Sequence, residues 1–230
     1  MKRITALIIS ALMLVFCLFS CNTEGTESSG GDSNVSYESN TSAFYGNMNK
    51  SSFWFRMNFT KKSETCVFTQ VTNGKTTTTI KDYEDDSKDV YDIFDGSIIH
   101  HIRVDEKAYD STLSASGQAF LFADYTASMF ASPSSVGNDE YNGKQYYCET
   151  FDTAAAEGGA VSGKNMYFFD GDKLVAVEIY EKGEKVMVME FIEYSNTLPN
   201  DIYLSAPDDF KKGNLAIDVS TTISVDDWWE

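Results

Sequence analysis

Basic residues are scarce in this chain: 18 Lys and Arg face 35 Asp and Glu, a net charge of −17. Nucleic acids and anionic headgroups are held by Lys/Arg patches that neutralise phosphate, so neither is an expected partner. Histidine is scarcer still. His100 and His101 are the whole supply, and they fall side by side on a predicted strand, where neighbouring side chains point to opposite faces. They cannot jointly ligate a metal or work together on one substrate. There is no G-x-S-x-G elbow to present a serine nucleophile. The acidic run Asp82-Tyr83-Glu84-Asp85-Asp86 lacks the spacing of a calcium loop and reads as a solvated turn. No catalytic constellation, cofactor or metal site is expected, and the reading is non-enzymatic.

Long apolar runs are also missing, with one exception at the start. Lys2-Arg3 precedes an uncharged, mostly apolar stretch from Ile4 to Phe19, followed by Ser20-Cys21. A basic opening, a short apolar core and a small residue before the cut mark a secretory signal. Leu18-Phe19-Ser20-Cys21 resembles the bacterial lipobox, which implies cleavage after Ser20 and a lipid on Cys21. The run falls short of the about 20 residues that span a bilayer, which argues against an uncleaved anchor. Without the signal's two bases, 16 Lys and Arg remain against 35 acids, a charge of about −19. The expected location is outside the cytoplasmic membrane, anchored by lipid. Of the four cysteines, Cys66 and Cys148 are left for the folded part. A disulfide between them and two separate buried thiols both remain open.

Four segments follow from composition: a signal peptide at 1–20, a tether at 21–50 carrying Cys21, a domain at 51–212 and a tail at 213–230. The tether is too polar after Cys21 to offset its own ordering entropy. The domain is overwhelmingly β. Phe53, Phe55, Met57 and Phe59 alternate with Trp54, Arg56 and Asn58, the period of a half-buried strand. Asn73-Gly74, Asp95-Gly96, Asp170 to Lys173 and Lys182 to Lys185 mark tight turns between strands, giving an antiparallel meander of seven or eight strands. One helix is expected over Gln118–Ala131, with Phe122, Tyr125, Met129 and Phe130 at helical spacing and Pro133 beyond its end.

Thirteen Tyr and sixteen Phe are a heavy load for one domain. One helix of about 21 Å cannot roof the apolar face of such a sheet, so an apolar ligand, the chain's own side chains or a partner must fill the remaining area. Phe55, Met57, Phe122, Met129, Val177, Met187, Met189 and Phe191 are the expected cavity residues. The order of exported lipoprotein, paired strands around Asp95-Gly96, helix and final meander sets up a family resemblance. That meander runs from Tyr167-Phe168-Phe169-Asp170-Gly171 through Phe191-Ile192-Glu193-Tyr194 to Tyr203-Leu204-Ser205-Ala206-Pro207. The chain resembles the LolA/LolB-like superfamily of half-barrel lipoproteins and lipoprotein carriers, including the LppX and LprG type. The resemblance covers about residues 45 to 212. It implies an α+β, mostly β fold: a curved antiparallel sheet, an unclosed half-barrel, wrapped around one main helix. It also implies a cavity for lipid or another apolar small molecule. The alternative is a surface module that engages a protein or glycan through its sheet or its tail, which carries Trp228-Trp229.

Overall fold

The computed structural model describes residues 38–113, 119–154 and 161–217. The expected signal peptide, Cys21 and Trp228-Trp229 lie outside them. In chain order the elements are helix α1 (Asn40–Asn47) and strands β1 (Phe53–Lys61), β2 (Glu64–Thr72), β3 (Thr77–Tyr83), β4 (Val90–Phe94), β5 (Ile98–Arg103) and β6 (Ala108–Leu113). Then come a 3₁₀ turn (Ala127–Phe130) and strands β7 (Ser135–Tyr141), β8 (Lys144–Ala154), β9 (Val161–Asp170), β10 (Lys173–Glu181), β11 (Glu184–Ser195) and β12 (Lys211–Ile217). None of the described helices is long and apolar enough to cross a membrane.

All twelve strands join one sheet, in the order β12-β6-β5-β4-β3-β2-β1-β11-β10-β9-β8-β7. Two meanders, β1–β6 and β7–β11, meet where β1 pairs with β11. Every pairing is antiparallel except that of β12 with β6. The sheet stays open between β12 and β7, so the fold is the mostly β, unclosed, curved half-barrel expected. Its twelve strands exceed the seven or eight expected, and β6, β7 and β12 carry too little apolar alternation to stand out. The β1–β11 pairing shifts register between Arg56 and Met57, with Ile192 of β11 as the extra residue, and bulges sharpen local twist and bend. Turn chemistry matches turn geometry. Lys182 and Gly183 both have positive φ, 51° and 84°, as do Asn142 and Gly143, the backbone of a two-residue hairpin that follows sheet twist.

The inner face of the sheet buries Phe53, Phe55, Met57, Phe68, Tyr167, Phe169, Val177, Met189 and Phe191. Two pieces roof it, and neither is the helix expected. Over 119–131 the chain makes a turn and the 3₁₀ turn instead of a helix, and Gln118 lies outside the described residues. Phe120, Phe122 and Phe130 all reach the core from this irregular segment. Its backbone needs partners that a helix would supply internally. Gln70, fully buried on β2, provides them: its Oε1 accepts the Leu121 N–H at 2.6 Å and its Nε2 donates to the Ala119 carbonyl at 3.2 Å.

The second piece is α1, inside the stretch assigned to the tether. Its polar flanks disguise Phe44, Tyr45 and Met48, all buried. The folded body therefore begins before residue 51, and β12 carries it past 212. Cys66 and Cys148 are free thiols and belong to separate clusters on opposite faces of the sheet. Five strand spacings separate β2 from β8, about 24 Å along the sheet, whereas a disulfide needs Cα atoms within about 7 Å. The two-thiol alternative holds.

Candidate functional site

The expected cavity residues come together, but around each other. Phe122 packs 5.0 Å from Phe55 and 6.2 Å from Phe191, ring centre to centre. Met57, Val177, Met187 and Met189 fill the same cluster. Met129 does not join them: it is 57 % exposed, because the segment that carries it is not helical and turns that side chain outward. The space over the middle of the sheet is thus occupied by the chain's own side chains.

Open space lies to one side, where α1 meets the rim of the sheet. A cleft of about 580 Å³ is walled by α1, the start of β8, the β9–β10 turn and the end of β11. Its construction begins at Glu149. This residue sits on β8 with its side chain toward α1, is fully buried, and accepts hydrogen bonds from the Asn40 N–H at 2.8 Å and the Thr41 N–H at 2.9 Å. A carboxylate at a helix N-terminus satisfies orphan donors and meets the positive end of the helix dipole. The Tyr147 hydroxyl donates to the same carboxylate at 3.3 Å. Burial, with the nearby Glu149 charge behind it, pushes the Tyr147 phenol up from its ordinary value.

Further bonds fix α1 at both ends. Ser39 Oγ accepts the Ser42 N–H and donates to the Phe130 carbonyl at 2.6 Å, while Ser42 Oγ donates to the Ala127 carbonyl at 2.9 Å. At the far end, Asn196 Nδ2 donates to the Asn47 carbonyl at 2.8 Å and its Oδ1 accepts the Asn49 N–H at 2.7 Å. An eight-residue helix is marginal alone; here it is held by tertiary bonds. The aromatic wall is equally fixed. Phe44 lies edge-on to Tyr194 at 5.1 Å and to Phe53 at 6.2 Å. Tyr194 Oη accepts the Leu174 N–H at 3.0 Å, and burial raises its pKa.

The polar lining comprises the carboxylates of Glu38, Glu149 and Asp172, the amides of Asn40, Asn47 and Asn196 and the hydroxyls of Ser39 and Ser195 beside the two tyrosines, with no Lys, Arg or His. Sequence reasoning missed this site. Its residues are scattered from Glu38 to Asn196, and only the packing of α1 brings them together.

A second polar arrangement surrounds the histidines. As expected, they face opposite sides: His101 stands opposite Asp92, and His100 opposite Ile93. His101 Nδ1 lies 2.7 Å from Asp92 Oδ1 and Nε2 lies 2.9 Å from Thr112 Oγ. The Asp92 hydrogen bond raises the His101 pKa, against a smaller lowering by burial. Acid, base and hydroxyl stand in the order of a nucleophile relay. However, Thr112 is mid-strand on β6, which is paired on both edges. The backbone donors that would stabilise an oxyanion belong to those ladders, so the arrangement is a cross-strand clamp. Among the described residues no three His, Cys, Asp or Glu side chains are grouped to hold a metal.

No family model matches the chain, and no curated protein does. Among solved structures, it is similar to an uncharacterized conserved protein from Thermus thermophilus. That likeness has 7 % identity and a TM-score of 0.41, and covers 76 % of this chain and 97 % of that one.

Proposed function

We propose that this protein is an extracytoplasmic binding module, held at the membrane by a lipid on Cys21, whose ligand occupies the cleft between α1 and the sheet rim. The observation that carries the reading is the cleft. Its volume of about 580 Å³ lies within the ordinary range for small-molecule sites, which combine apolar walls with a few convergent polar groups. The half-barrel interior that the family resemblance assigns to acyl chains is filled by Phe55, Phe122 and Phe191, so the ligand's place shifts to the rim. The lipid anchor is supported by the Leu18-Phe19-Ser20-Cys21 pattern, which lies outside the described residues.

Ala43 lines the cleft, and Ala43→Trp would fill it. A small-molecule screen by thermal shift should find ligands that stabilise the wild-type chain and not this variant. Ligands that stabilise both equally would place binding elsewhere and overturn the reading. Labelling with an alkyne fatty acid should mark the wild-type chain and spare Cys21→Ala; label retained in the variant would remove the anchor.

A further inference from the structure

We infer that the ligand of this cleft is a small organic cation, an amine or quaternary ammonium carried on a compact body. The inference rests on the cleft being the ligand site and adds the class of molecule it takes.

Charge is the first argument. Three carboxylates line the cleft and no basic side chain does. Lys144, three residues before Tyr147, is committed to Asp170, and Lys173, next to Asp172, is exposed and outside the lining. Among the described residues, Glu38 and Asp172 take part in no ion pair. An anionic ligand would meet this lining inside the field of a strongly acidic protein, whereas a cation is drawn in by both.

The helix end supplies the second argument. The first N–H groups of a helix are the usual place for a bound anion. Here Asn40 and Thr41 have already given theirs to Glu149, so that feature is closed to an incoming phosphate or carboxylate.

Aromatic rings supply the third. Phe44, Phe53, Tyr147 and Tyr194 stand in the same lining, and ring faces attract ammonium groups, the more so where water is excluded. Phe44 and Phe53 belong to the core behind the cleft, so Tyr147, about a third exposed, and the half-buried Tyr194 are the rings that a ligand reaches. A bare metal ion suits the site poorly. Rings offer it no ligand, and the acidic side chains are not grouped closely enough to share one ion. A cation with a carbon body uses both kinds of wall.

The test is calorimetric titration of the full-length chain in detergent micelles, with choline, spermidine, glucose, octanoate and Ca²⁺ as probes. Choline or spermidine should bind saturably, and more weakly as salt is raised. Asp172→Asn and Glu38→Gln should each weaken binding by about threefold, a typical loss for one partly exposed charge contact. Ala43→Trp should abolish it. These two isosteric changes keep the test valid should Ala43→Trp disturb folding. Binding of glucose or octanoate that Ala43→Trp removes, with neither cation bound, overturns the inference and leaves the cleft as the site. Ca²⁺ binding that Asp172→Asn removes, again without either cation, replaces the organic cation with a metal. Cation binding indifferent to all three substitutions overturns both the inference and the proposed site.

Discussion

Glu149 shows how much one side chain can organise. Its carboxylate receives two backbone N–H donors of α1 while fully buried. Glu149→Ala leaves both donors without a partner, and hydrogen bonds to a charged group are worth about 1.5 to 3 kcal/mol each. A loss of about 3 kcal/mol in urea unfolding is expected, with the cleft lost as α1 detaches; a loss under about 1 kcal/mol would refute the role. His101 gives a pH signature. Its folded pKa lies above the unfolded value of about 6.5, so the folded state holds its proton more tightly. The stabilisation is complete below the unfolded pKa and is lost as pH rises through the folded one. Melting temperature followed from acid to mildly alkaline pH should show this decline, and His101→Gln should flatten it. Sequence pattern placed both histidines on opposite faces, since strand alternation is local. It could not supply Asp92 and Thr112, which adjacent strands bring in.

At the scale of elements, hairpins were far more legible than the roof. Alternation and turn residues give most of the strands, because both are properties of a few consecutive positions. The segment after 118 misleads for a physical reason. Phe122, Tyr125, Met129 and Phe130 have the spacing of a helix face, yet Gln70 satisfies the backbone from outside and lets Phe120, Phe122 and Phe130 enter the core without one. Nothing near residue 118 in the sequence announces a glutamine buried about fifty positions earlier. Gln70→Leu tests the explanation. It should destabilise the fold by about 2 kcal/mol, since the Leu121 N–H loses its acceptor. Amide exchange should quicken at Leu121 and its neighbours before it quickens in β8–β10. Uniform exchange across the chain would mean that the segment is held by its rings alone.

At the scale of the whole molecule, two meanders share one core through the pairing of β1 with β11. Phe55, fully buried on β1, touches Phe53, Phe68, Phe120, Phe122 and Phe191, rings drawn from both meanders and the roof. The sequence shows neither the meeting point nor the filled interior, because both depend on strands more than a hundred residues apart. Cys66 in one meander and Cys148 in the other provide a built-in pair of probes. Both thiols are buried, and burial pushes their pKa values up, that of Cys148 to about 11, so the native chain should react slowly with iodoacetamide. In a urea series read by peptide mass, both cysteines should become reactive at one midpoint. Phe55→Ala should lower both midpoints together, reflecting a destabilisation of about 3 to 5 kcal/mol. Separate midpoints would show that the meanders unfold independently.

The clamp between Glu149 and α1 has a mechanical side. Helix α1 is the first described element of the chain, and Glu149 ties it to β8 from more than a hundred residues away. A pull applied to the backbone at Glu38 would load the Glu149 carboxylate and the Ser39 hydroxyl before it loaded any strand ladder. The cleft walled by α1 would then widen under traction while the sheet stayed intact.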